Sequence, residues 1–273
     1  MSARHNRHMI PSPRALAAVW RISVSEAVAY RAELLIWILT TTMPFVMLAL
    51  WTAVAREAPV GRFGQTEFVA YFFAIFVVRQ LTSSWVAWEL NFQVRQGTLS
   101  GKLLRPMSPL WVYAVENLGA LPLRLVIALP VAVLGLALTG GHVLPSRGEL
   151  WALWGASILG GWLITYFVNV TIGSLSLFVD SSIKLMELWL ALFTVFSGYL
   201  VPLELFPAWL RSIADALPFR YQIGFPVEVL TSAHSVSETL TLLGRQWAYV
   251  AVSAAVGLTV WRLGLRKYAA FGG

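Results

Sequence analysis

The stretch Gly97-Thr98-Leu99-Ser100-Gly101-Lys102 is the closest this 273-residue chain comes to a motif with chemistry in it. A nucleotide-binding loop places four residues between its glycines, so that backbone N–H groups cradle phosphate. A lysine then reaches the β- and γ-phosphates and a hydroxyl holds magnesium. Only three residues separate Gly97 from Gly101, Leu103 stands where the hydroxyl belongs, and no apolar strand comes before. The stretch is not read as a nucleotide site. No nucleophile elbow, no His-Glu-x-x-His helix and no pair of carboxylates at a plausible spacing occurs elsewhere. Cysteine is absent, which excludes disulfides, thiol nucleophiles and cysteine metal sites. His5 and His8 lie in a basic tail and His142 and His234 in separate loops, so no metal set forms. The chain reads as non-enzymatic, with no metal and no cofactor of its own. Any energy source is another protein or an ion gradient.

What remains chemically is a small set of ionisable groups inside apolar runs: Arg79, Glu116, Arg124 and Glu187. Such groups mark ion paths or structural pairs, because a lone charge in hydrocarbon is costly. Proton and sodium carriers are acidic groups near mid-membrane, whereas Glu116 and Glu187 fall near the ends of their runs. Arg79 and Arg124 either line a translocation path or pair with a neighbouring span, for example with Glu116. Both readings stand at this point.

The elements that must position these residues are membrane spans. The chain is 58% hydrophobic and only 12% charged, with a mean hydropathy of +0.70. A soluble domain is about a quarter charged. The apolar residues come in blocks of about 20, the length that crosses a bilayer. The expected fold is all-α, a single membrane domain over residues 1–273 with six spans at 34–55, 68–88, 110–138, 150–179, 185–201 and 240–261. Pro44 is expected to kink the first span. Ala156, Gly160 and Gly161 give the fourth a small-residue face for close packing. Residues 1–32 read as a cytoplasmic tail followed by an amphipathic helix in the interface plane, capped by Ser12 with Pro13 at its first turn. Arg21 and Glu26 interrupt that stretch, so a signal peptide is not expected.

Residues 202–232 are too broken by Pro202, Pro207, Pro218 and Pro226 for a span and too apolar for an exposed loop. They read as a re-entrant helical hairpin on the outer side, sheltered by protein. Six spans put both termini on one side, where twelve basic residues fall against six on the other. The positive-inside rule makes that side cytoplasmic. The net charge of +7 is thus a membrane signature, and no nucleic-acid partner is expected.

Between the second and third spans lies a polar stretch, read as a surface helix over 91–105. As one unbroken helix it places Phe92, Leu99 and Leu103 on one face, with Arg95, Thr98, Lys102 and Arg105 beside them.

The run Arg95-Gln96-Gly97-Thr98-Leu99, then Leu103-Leu104-Arg105-Pro106 and Ser108-Pro109, resembles the coupling-helix signature of type-2 ABC exporter permeases. The amphipathic entry, the six spans, the proline-broken hairpin and the ending Gly264-Leu265-Arg266-Lys267-Tyr268 are similar too. The chain departs from the pattern in lacking an acidic residue just after Gly-Thr-Leu. The resemblance implies a bacterial inner-membrane permease that pairs with a second permease chain, identical or homologous. Two copies of a separate ABC ATPase would bind ATP and magnesium. Residues Phe92, Arg95, Gln96, Gly97, Thr98, Leu99, Lys102, Leu103 and Arg105 would couple to that ATPase, with Phe92, Leu99 and Leu103 as buried anchors. Pro202, Pro207 and Pro218 would belong to an outer gate. The cargo would be hydrophobic or amphipathic. The rival readings are a secondary transporter or channel working without ATP, and a membrane scaffold that transports nothing.

Overall fold

The computed structural model describes residues 12–32, 36, 41–141, 144–145, 147–179, 182–231 and 234–268, and these are all-helical, with no strand among them. The amphipathic entry is helix α1 (Pro13–Ala29). The Ser12 hydroxyl accepts from the Ala15 backbone N–H at 3.3 Å, with Pro13 opening the first turn as expected. The first expected span lies partly outside the described residues. Its described part is the short apolar helix α2 (Met43–Val54), with Pro44 in the first turn rather than at a mid-helix kink. That is where proline is tolerated, since the N–H it lacks has no partner in a first turn.

Among the described residues, four segments are long and apolar enough to cross a membrane. The first joins α3 (Gln65–Thr82) to α4 (Val86–Arg95) across an unwound Ser83-Ser84-Trp85. It therefore runs on to Arg95 rather than ending at 88, because Val86, Ala87, Leu90 and Asn91 keep one side buried. Gly97 then takes a left-handed φ of +70°, and the short helix α5 (Leu99–Leu103) follows. The expected single surface helix over 91–105 is thus two helices meeting at an elbow. A glycine adopts that φ at little cost, and the turn ends the helix. The second segment joins α6 (Pro109–Gly119) to α7 (Leu121–Thr139), broken at Ala120 before Pro122. The third is α8 (Gly148–Ser174) with a 3₁₀ turn over Leu175–Leu177.

Helix α9 (Ser182–Phe196) is shorter and bears Lys184 and Glu187. After a turn at Gly198 come a 3₁₀ turn (Leu203–Leu205) and two short helices, α10 (Ala208–Asp215) and α11 (Gly224–Leu230). The fourth long segment, α12 (Val236–Lys267), exceeds the expected 240–261 at both ends. A capping box of Ser235 and Glu238 starts it one turn early.

The α3–α4 segment and α8 bury more than half of their apolar windows, while α6–α7 and α12 bury less than a quarter. The first two are therefore the bundle's centre and the last two its flanks. Helix α12 runs along α8, α7 along α3, α4 crosses α8, and α1 lies on α6. The small-residue face of α8 is used as expected. A side chain added at Gly160 would meet Gln246, and one at Gly161 the backbone oxygen of Gln222 at 2.7 Å.

Candidate functional site

The α4–α5 elbow divides its residues into two sets. Phe92 is 60% exposed and Leu104 88%, with Arg95, Gln96, Thr98, Arg105 and Pro106 also on the outside. Leu99 is fully buried, among Val86, Leu90, Tyr113, Tyr166 and Trp261. Leu103 packs half-buried against that cluster. Phe92, Leu99 and Leu103 therefore do not share a face. The turn at Gly97 rotates α5 relative to α4, so the wheel drawn through an unbroken helix fails there. Leu99 is an anchor of the chain's own bundle rather than of a partner. Leu104 is the outward leucine that the wheel missed; the break at Gly97 was the available signal.

Lys102 is also turned inward. Its Nζ lies 3.3 Å from Glu116 and 3.9 Å from Glu89, and 4.4 Å from the centre of the Tyr113 ring. Glu116 thus pairs with Lys102 across the elbow, and not with Arg79 or Arg124. Gln93 donates to Glu89, and the Tyr113 hydroxyl donates to Gln93 at 2.6 Å, so the base of the elbow is a connected polar network. The end of α12 braces it from the other side. Leu265 and Tyr268 pack on the Leu99 cluster, and the Tyr268 hydroxyl reaches the Gly97 carbonyl at 3.4 Å. The elbow is a fixed projection whose outer skin is two large apolar side chains among arginines.

A second set lies inside the bundle. Arg79 and Arg124 each sit at the midpoint of a 31-residue segment. Arg124 is almost fully buried. Its Nη1 donates to the Ser83 hydroxyl at 2.6 Å and to the carbonyls of Gln80 and Ser83 at 3.1 and 3.3 Å. Those carbonyls are freed where α3 unwinds, so Arg124 caps a helix C-terminus, where positive charge is favoured. Its guanidinium lies 4.7 Å over the Trp85 ring, and that of Arg79 lies 4.9 Å over Phe193. Among the described residues, no carboxylate pairs with either arginine. Glu187 is exposed on α9 and joins neither set.

The hairpin prolines are dispersed: Pro202 is buried, Pro207 exposed and Pro218 half-buried. The polar core there went unseen in the sequence. Arg220 bonds Asp215 and also Glu228 at 2.6 Å, and His234 Nε2 lies 2.9 Å from Glu228. Burial pushes the Glu228 carboxyl up, but His234 and the Arg220 guanidinium outweigh it and hold it down to about 2. At the rim Arg62 clasps Glu204 through two bonds of 2.6 and 2.7 Å, tying the α2–α3 loop to the hairpin. His234 stands six residues beyond Glu228 across a turn, and nothing in sequence spacing marks the two as partners.

No group of metal-ligating residues occurs among the described residues. A family profile described as "ABC-2 family transporter protein" matches residues 35–272. No curated protein and no solved structure matches the chain.

Proposed function

The chain belongs to the ABC-2 family of transporter proteins, and we propose that it is the membrane-spanning permease subunit of an ATP-driven exporter in the bacterial inner membrane. Membership makes it a multi-pass transport component that works with an ATPase subunit. The finer reading is ours. Two copies of the ATPase dock beneath a pair of permeases, bind ATP and magnesium, and supply all the hydrolysis. Both termini lie on the ATPase side. The cargo is hydrophobic or amphipathic and crosses between the two permeases, with the hairpin around Pro202, Pro207 and Pro218 closing the far side.

The observation that carries this reading is the elbow's outer surface. Phe92 and Leu104 are large apolar side chains held in the open by a braced, polar-based turn. An exposed aromatic and an exposed leucine beside arginines make a compact anchor for a groove with acidic walls. Arg95 and Arg105 flank them, and Gln96 and Thr98 lie between. Lys102, Leu99 and Leu103 act from inside: they hold the elbow's angle, so a push on Phe92 is passed to α4 and through Leu99 to the Tyr166–Trp261 cluster. Closure of the ATPases then moves helices as rigid bodies.

The test is reversal of charge on the outer skin. Arg105→Glu should sharply lower cargo-stimulated ATP hydrolysis in the reconstituted complex and leave the melting temperature of the isolated permease unchanged. Full stimulation in that variant would remove the elbow from the coupling path.

A further inference from the structure

The other paired cations described above, buried or at the rim, have acidic partners. Lys102 faces Glu116 and Glu89, Arg220 faces Asp215 and Glu228, and Arg62 faces Glu204. Arg79 and Arg124 differ. They lie at the same depth in adjacent, packed segments, and Arg124 bonds the carbonyl of Gln80, the residue next to Arg79. Among the described residues their surroundings are neutral: carbonyls, the Ser83 hydroxyl, and the rings of Trp85 and Phe193. Arg124 spends only Nη1 on its helix cap. Arg79 donates no hydrogen bond among the described residues and keeps part of its surface accessible.

Two adjacent cations at mid-membrane with neutral neighbours are costly to hold. Three weak compensations are present, namely a helix C-terminus and two aromatic faces. Each favours a cation, and none discharges it. An incoming oxyanion would meet two planar donor forks suited to bidentate bonding, in a low-dielectric setting that strengthens the attraction.

We propose that Arg79 and Arg124 form a membrane-embedded receptor for the oxyanion of an amphipathic molecule, a phosphate or carboxylate carried on an apolar body. The apolar body would lie along the exposed flank of α7, where Val126, Leu129 and Val133 face outward. Identification of this anion as the cargo rests on the permease reading above, whereas the affinity of the site does not. The site narrows the cargo from hydrophobic in general to acidic amphiphiles, and it excludes drug-like cations.

The test uses the full chain in nanodiscs of phosphatidylcholine and radiolabelled oleoyl lysophosphatidic acid as probe. Wild type should bind the probe saturably, and uncharged monoolein should not displace it. Arg79→Gln should weaken binding about tenfold or more, the scale of a lost charge-assisted bond, and Arg79→Lys, a point charge without the planar fork, should restore only part of it. Arg124→Gln should do the same, but it also uncaps α3. Arg79→Gln therefore decides the matter if the other variant misfolds. Displacement by phosphatidylglycerol in the disc would assign the site to membrane lipid, and displacement by inorganic phosphate alone to a free anion. Both outcomes keep an anion site. No saturable binding to wild type, equal binding by Arg79→Gln, or displacement by monoolein would overturn it. No ATPase is present in this assay, so its failure would leave the elbow's docking role standing, and failed docking would leave the anion site standing.

Discussion

At the scale of single residues, the elbow turns on leucines five positions apart with opposite surroundings. Leu99 is sealed inside the Tyr113–Tyr166–Trp261 cluster and Leu104 stands in the open. An aspartate at 99 would be a buried charge without a partner, which costs about 3 kcal/mol or more. Leu99→Asp should therefore lower the thermal stability of the purified permease and lose coupling only as a consequence. Leu104→Asp should leave stability within about 0.5 kcal/mol, as surface changes do. Melting curves of the two variants side by side separate these outcomes. Equal stability at both positions would mean that Leu99 is not in the core. Lys102 obeys the same logic. Its charge is spent on Glu116 and Glu89, so it serves the elbow's shape and not a partner's acidic groups.

At the scale of elements, close approach between α8 and its neighbours fixes the centre of the bundle. Gly161 lies against the backbone oxygen of Gln222, which cannot swing away as a side chain can. Gly161→Ala should push the stretch before α11 off α8 and destabilise the fold by about 1–3 kcal/mol, read as a lower melting temperature. A neutral result would show that the two do not pack there. Much at this scale was legible in the sequence. The Ser12–Pro13 start of α1, the small face of α8 and the approximate positions of the long segments follow from capping, size and hydropathy. The breaks were not. Serines 83 and 84 carry no strong helix-stopping signal, yet α3 unwinds there, and the carbonyls it frees are taken by Arg124 from another span. Gly97 is visible in the sequence as a glycine, but its left-handed turn and the rotation of α5 go with burial of Leu99 by distant residues such as Trp261 and Tyr268. Hydropathy also cannot pair Arg220 with Glu228 and His234, because that network closes only when α11 folds under the hairpin.

At the scale of the whole molecule, the two surfaces proposed to function stand apart on one bundle. The elbow is outward, basic and apolar, and the Arg79–Arg124 pair is inward and cationic. The α3–α4 segment carries both Arg79 and Phe92, so a force on the elbow reaches the arginines along one broken helix. Because the chain contains no cysteine, a single introduced thiol reports its own position without background. The decisive measurement is cross-linking with a short maleimide–diazirine reagent from a cysteine at position 104, or at 92, to the ABC ATPase assembled with the permease, the photolysed carbene inserting into any adjacent bond of the partner. The account predicts strong cross-linking from both positions, and none from the buried position 99 or from exposed Trp209 on the hairpin. An assembled complex that yields no product from 104 or 92, or that yields it from 209, would contradict docking at the elbow.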